Sequence, residues 1–134
     1  MINVELILSA FLRAQPEVTA LVEDRIYTDL PHTRTYPLVV FSRTGGGYTT
    51  KQPYWLESAE ITLEAWGGTH KQAQLIASTC LDVMSARLRG RYPEGSVTGL
   101  AETALAYEPE VDLSDDSGHS RPRYVLTANV LAHP

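Results

Sequence analysis

Apolar residues recur at Val4, Ile7, Leu8 and Phe11, the spacing of one helical face. They predict a first helix over 2–14, with Asn3 placed to cap it. The Gln15-Pro16 step interrupts that helix, because proline lacks a backbone donor and crowds the preceding turn. Pro16 can itself open a second short helix whose buried face is Val18, Leu21 and Val22. Residues 23–36 carry no period and read as an irregular connection. Leu38-Val39-Val40-Phe41, after Pro37, reads as a short apolar strand, and 44–56 (TGGGYTTKQPYWL) as a long glycine-rich loop.

Residues 57–66 alternate. Ala59, Ile61, Leu63 and Ala65 point one way, and Glu60, Thr62, Glu64 and Trp66 the other, as in a strand with one wet face. Gly67-Gly68 ends it. The strongest helical pattern runs over 69–89. Thr69 and Gln72 fit a capping box, and Ala73, Ile76, Ala77, Cys80, Val83, Met84 and Leu88 make one apolar stripe. Arg87 and Arg89 suit the negative end of the helix dipole, and Gly90 suits a C-terminal stop.

After a turn at Tyr92-Pro93-Glu94-Gly95 a strand is expected over 97–107, with a bulge at Gly99. Residues 108–120 form an acidic loop. A last strand covers 123–131, with Tyr124, Leu126, Ala128 and Val130 on one face, and the chain trails from there to Pro134. The fold class is α+β: an antiparallel sheet of about four strands with helices packed on one face, order α(α)ββαββ. With 134 residues this is one domain, 1–134, large enough to bury a core without disulfides or a structural metal.

Composition narrows the function more than it defines it. No apolar run approaches the length of a membrane span, and the N-terminal residues lack the basic lead of a signal peptide. Sixteen acids against eleven bases give a net charge of −5, which argues against a general nucleic-acid binder, since phosphate contacts need a basic surface. The single cysteine, Cys80, excludes an internal disulfide framework and a cysteine-rich zinc site. Its mid-stripe position makes it a buried structural thiol rather than a nucleophile.

The candidate chemistry fails test by test. His32, His70, His119 and His133 are never three or four apart, so no helical metal pair exists; all four read as solvated surface residues. Counting from Asp112, the sixth and twelfth residues are Ser117 and Arg123, where a calcium loop needs Gly and Glu. The glycines at 45–47 lead to Pro53 and not to the Lys-Ser/Thr and helix of a phosphate loop. No nucleophile elbow, zinc-binding helix motif or carboxylate pair is present. No catalytic residue, metal ligand or cofactor is expected. The sequence instead offers contact surface: Tyr48, Tyr54 and Trp55 in the 44–56 loop can anchor a neighbouring chain, since aromatic side chains dominate contact energetics.

Several stretches together carry a resemblance. They are Val18-Thr19-Ala20-Leu21-Val22-Glu23-Asp24-Arg25-Ile26-Tyr27, then Tyr36-Pro37-Leu38-Val39-Val40-Phe41, then Glu60-Ile61-Thr62-Leu63-Glu64-Ala65-Trp66-Gly67, then Lys71-Gln72-Ala73, and a closing Arg123-Tyr124-Val125-Leu126-Thr127. In that order the chain resembles the tail-terminator, or tail-completion, proteins of long-tailed phages, over roughly residues 4–131. The resemblance implies a non-enzymatic virion protein of the tail and neck, assembled in the host cytoplasm. It implies a homo-oligomer, a hexameric ring at the head-proximal end of the tail tube that ends tube polymerisation and meets the head connector, or stopper, protein. DNA would pass through the lumen without specific recognition, and no membrane is involved. Under that resemblance Glu60, Glu64, Asp112, Asp115 and Asp116 are candidates to face the lumen, where negative charge lets DNA slide, and the 44–56 loop is the candidate contact with a neighbouring subunit or tube ring. A head-completion or stopper protein in the adjacent ring is the alternative within the virion. A small-ligand-binding α+β domain is the alternative outside it, and requires a deep pocket with convergent polar groups.

Overall fold

The computed structural model describes residues 1–48, 56–111 and 118–134. Helix α1 (Val4–Arg13) starts where its cap predicts: Asn3 Oδ1 accepts the Leu6 N–H at 3.1 Å. Its stripe of Val4, Ile7, Leu8, Phe11 and Leu12 is buried. Helix α2 (Pro16–Val22) opens on proline and buries Val18 and Val22. Helix α3 (His70–Arg87) is capped by Thr69, whose Oγ1 accepts the Gln72 N–H at 3.1 Å. The returning half of the expected box differs, because Gln72 Oε1 accepts the Gly68 N–H instead. The helix stops at Arg87, two residues short of the expected end, and Gly90 opens the next strand.

Around these helices lie strands β1 (Ile26–Tyr27), β2 (Leu38–Tyr48), β3 (Glu57–Trp66), β4 (Gly90–Tyr92), β5 (Gly95–Tyr107), β6 (Glu110–Val111), β7 (Ser120–Arg121) and β8 (Arg123–His133). Six form one sheet in the order β1-β2-β3-β8-β5-β4, and β6 pairs with β7 separately. The α+β class holds; the sheet is antiparallel apart from one short parallel pairing and has six strands where about four were expected. β1 lies inside the expected irregular connection and pairs in parallel with Val39 and Val40. β4 adds a short strand beside the start of β5. Strands of two or three residues are too short to leave a period in the sequence.

Two strands run further than their patterns showed. β2 continues through the glycines that read as loop. Its register shifts between Arg43 and Gly45, and at Gly46 the backbone takes φ +96°, where an added Cβ would stand 1.9 Å from the Ser58 carbonyl oxygen. Glycine is needed there for a bulge and a close backbone approach, not for a loop. β8 reaches His133 because Leu131 and Ala132 still pair with Ser58 and Glu57. In β5 the expected bulge falls between Val97 and Gly99, and a second lies between Ala101 and Ala104, where Glu102 takes φ 52°.

All three helices contribute to the main core on one face of the sheet. Ile7, Leu8, Leu12, Val39, Phe41, Ile61, Leu63, Ile76, Cys80, Met84, Leu126 and Val130 meet there. The alternation of β3 is as expected, with Ala59, Ile61, Leu63 and Ala65 all buried on the helix side. Trp66 is the exception to the wet face opposite. It points away from the helices, yet it is only 1% exposed. Leu38 and Val40 flank it, and Tyr27 and Tyr36 pack against it in a second, smaller core. Tertiary neighbours contributed by residues 27–36 close this end of the face.

Candidate interaction surfaces

Beyond Trp66 the face away from the helices is open. Register places Ser42 and Thr44 of β2, Glu60, Thr62 and Glu64 of β3, and Val125, Thr127 and Asn129 of β8 side by side on it. Ala101, Ala104 and Ala106 of β5 continue it. The side chains are short and mostly hydroxyl, amide or methyl. Thr44 Oγ1 donates to Glu60 Oε1 at 2.9 Å, and Asn129 donates to Glu102 at 2.8 Å. Among β2, β3, β5 and β8, Arg123 is the one cation on this face, and it is neutralised by Glu64 at 2.7 Å.

The two carboxylates expected to act together therefore differ. Glu60 is exposed at the middle of the face. Glu64 is half-buried and holds Arg123, whose guanidinium lies 5.6 Å from the Trp66 ring centroid. Arg34 approaches the same ring at 5.7 Å, and Arg121 covers Tyr36 at 4.3 Å. Glu64 thus helps hold the lid over Trp66, whereas Glu60 does no such work. Asp112, Asp115 and Asp116 lie outside the described residues, as do Tyr54 and Trp55.

Tyr48, the described member of the aromatic trio, is 54% exposed at the end of β2. It lines a shallow, open cleft of about 420 Å³ with Met1, Ile2, Asn3, Glu57, Glu94 and Pro134. Beneath that cleft sits a polar contact that the sequence did not signal. Glu57 is 1% exposed; its Oε1 accepts the Ile2 N–H at 2.7 Å and its Oε2 takes the Arg43 guanidinium at 2.9 Å. Arg43 also donates to the Gly45 carbonyl at 3.1 Å. This group ties the N-terminus, the β2 bulge and the start of β3 together. Its members are far apart in sequence, so no spacing rule could find it.

One histidine has structural company. His70 is exposed, but its ring stacks on Tyr107 at 4.1 Å and its Nε2 shares a hydrogen bond with Tyr124 Oη at 2.6 Å. It pins the start of α3 to β5 and β8. His133 is half-buried in β8 and not on a trailing tail. Among the described residues no three His, Cys, Asp or Glu side chains gather as a metal site, and no helix is long and apolar enough to cross a membrane. At the helix side of the domain Glu17 meets Arg87 at 2.6 Å. Its carboxyl is held below the usual range by its own backbone N–H at the start of α2 and then by Arg87.

Cys80 is fully buried on the α3 stripe. Burial pushes its thiol up to about 12, the opposite of an activated nucleophile. In the unfolded chain the thiol ionises near ~8.5. The folded pKa is the higher one, so the contribution to stability is complete below that pH and is lost as pH rises toward the folded value. Stability should fall above about pH 8.5 with a slope of up to ~1.4 kcal/mol per pH unit from this group. An aromatic disulfide reagent at neutral pH should leave the native thiol unmodified and titrate it fully in denaturant.

The helices cover one face of the sheet and leave the other open, lined with short, mostly polar side chains. Residues 7–91 match the family described as tail completion protein gp17, and the chain belongs to that family. It is a structural protein of the virion tail. No curated protein is similar to it in sequence at a significant level. Its fold is similar to that of a chain in a solved particle described as the virion of native gene transfer agent (GTA). The match has a TM-score of 0.67 and 16% identity, and covers 95% of this chain and 92% of the other.

Proposed function

We propose that this chain forms a ring of identical copies, six in number, at the head-proximal end of the tail tube. The ring ends tube polymerisation and offers the head connector its docking face, and DNA passes through the lumen. The observation that carries this reading is the open face of the sheet. On β2, β3, β5 and β8 it bears Glu60, short polar side chains, and one arginine, Arg123, already neutralised by Glu64; the other arginines near it, Arg91 on β4 and Arg34 and Arg121 beside Trp66 and Tyr36, lie at its ends. The middle of such a surface, turned inward, presents carboxylate and short polar groups to phosphate and no free cation. Asp112, Asp115 and Asp116 would add to that field. Tyr48, with Tyr54 and Trp55, would face the neighbouring subunit or the last ring of the tube.

Light scattering over a wide concentration range, alone and with purified tail tubes, tests the ring; a mass near six protomers is expected. Virions lacking the protein should carry tails of abnormal length, whereas normal tails beside leaking heads would point to a stopper instead. The lumen placement is tested by Glu60→Lys, because Glu60 supports no other charged group. Reversal changes two charges per copy, about twelve around such a ring. The variant should fold and assemble as the parent does while DNA delivery and infectivity drop. Unchanged delivery would remove Glu60 from the lumen. Glu64→Lys is a poorer probe, since it also strips Arg123 of its partner.

A further inference from the structure

The sheet has two open edges. On one side β1 pairs only with Val39 and Val40, so the outer edge of β2 from Phe41 to Tyr48 has no strand beside it among the described residues. On the other side β4 pairs only with Gly95, Ser96 and Val97, so the outer edge of β5 from Thr98 to Tyr107 is likewise unpaired. Elsewhere the sheet's flank is covered: Arg13 donates to the carbonyls of Asp24 and Ile26 and so blocks the β1 end. Among the described residues the two open stretches have no such guard. Neither contains lysine or proline, the usual devices against edge pairing. Their charged side chains, Arg43 and Glu102, are turned to partners within the domain.

The two edges also match. Following the register across the sheet, Phe41 is level with Leu63, Leu126 and Leu105. Ser42 is level with Thr62, Thr127 and Ala104, and Gly47 with Ser58, Leu131 and Gly99. The open part of β2 and the open part of β5 therefore stand at the same height on opposite sides. Each of the three intervening pairings is antiparallel, so β2 and β5 run in opposite directions. A neighbour related by rotation about an axis along the strands keeps its strand directions, and presents β2 antiparallel to β5 without any slide.

We infer that β5 of one copy pairs with β2 of the next, joining the sheets of neighbouring subunits edge to edge. A foreign strand would need one open edge; two edges of matching height and opposite direction on the same sheet are what a second copy of this chain requires. The contact is heterologous, the type that closes into a ring when the rotation permits. It leaves the polar faces of all copies on one continuous surface. This inference rests on the ring reading above and names the surface that would build it.

The test is the double variant Ser42→Cys with Ala104→Cys. Within one chain these positions are three strand spacings apart, about 14 Å, well beyond the reach of a disulfide. Cys80 is buried, so any disulfide must join two copies. Mild oxidation of the assembled protein should give a ladder of covalent multimers on a denaturing, non-reducing gel, and each single variant should run as a monomer. Ala101→Cys and Ala106→Cys, each combined with Ser42→Cys, cover a shifted register. A particle of ring mass that yields no ladder with any of the three pairs would overturn edge pairing and leave the ring standing. A covalent dimer from Ala104→Cys alone would overturn it in favour of β5 pairing with β5. A chain that stays monomeric both alone and on tail tubes would overturn the ring and the edge pairing together.

Discussion

Replacing Trp66 by alanine is expected to cost about 3–5 kcal/mol of stability, the range for emptying a large buried aromatic site. For a domain of this size that corresponds to a melting point lower by about 10–20 °C. The magnitude follows from position. Trp66 is among the largest fully buried side chains, and it is the floor on which Tyr36 rests, with ring centroids 6.2 Å apart. Arg34 and Arg123 approach its ring as well, contacts worth about 0.5–1 kcal/mol each where partly exposed. Without the indole, residues 27–36 lose the largest side chain they pack on and keep only Leu38 and Val40 from that small core. Trp66→Phe should lose less than half as much. It keeps part of the apolar volume and removes an indole N–H that has no acceptor among the described residues, a group costly to bury unpaired. Thermal melting of the three proteins decides the matter. A Trp66→Ala melting point within a few degrees of the parent would mean that the second core does not hold this region.

Glu57→Ala should be nearly as damaging, at about 3 kcal/mol by urea unfolding. Removing one partner of a buried ion pair leaves the other charged and unsatisfied, which typically costs about 3–5 kcal/mol. The lower end applies because the Arg43 side chain retains 16% exposure. The loss would fall on three elements at once: the N-terminus through the Ile2 N–H, the β2 bulge through Arg43, and the start of β3. Glu57→Gln should be intermediate, since an amide oxygen can still accept from Ile2. The diagnostic variant is Glu57→Ala combined with Arg43→Met. Taking out both charges removes the orphan, so the pair should be no less stable than Glu57→Ala alone. Additive losses in the double variant would show that the two side chains act independently. Because this group underlies the start of β3 and the exposed Tyr48, Glu57→Ala should also weaken any assembly that uses that end of the domain.

The elements whose signals are local were legible in the chain. α1 announced itself through Asn3 and its four-residue stripe, and α3 through Thr69 and seven apolar positions at helical spacing. β3 was bounded to the residue, because a ten-residue alternation ended by two glycines leaves no freedom of register. Cys80, in the middle of the α3 stripe, read as a buried thiol from its spacing and is buried. The family pattern was present in the same way, as a succession of short stretches in fixed order, and the match over residues 7–91 accords with it.

What the tertiary structure alone decided are contacts between residues distant along the chain. Trp66 obeys the alternation that put it on the polar face, and is buried all the same because residues 27–36 fold across it. Gly45-Gly46-Gly47 has the composition of a loop and is nonetheless strand, paired with β3, which comes close enough at Gly46 to require a missing side chain there. Glu57, Arg43 and the Ile2 N–H are separated by up to 55 positions, and Glu64 and Arg123 by 59. A period of two or of 3.6 reports which side of an element is apolar; it carries no information on what another part of the chain later lays over that side. The open edges of β2 and β5 belong to the same class. Whether a strand has a neighbour is a property of the completed sheet, and among the described residues the sheet stops with two matching edges unpaired.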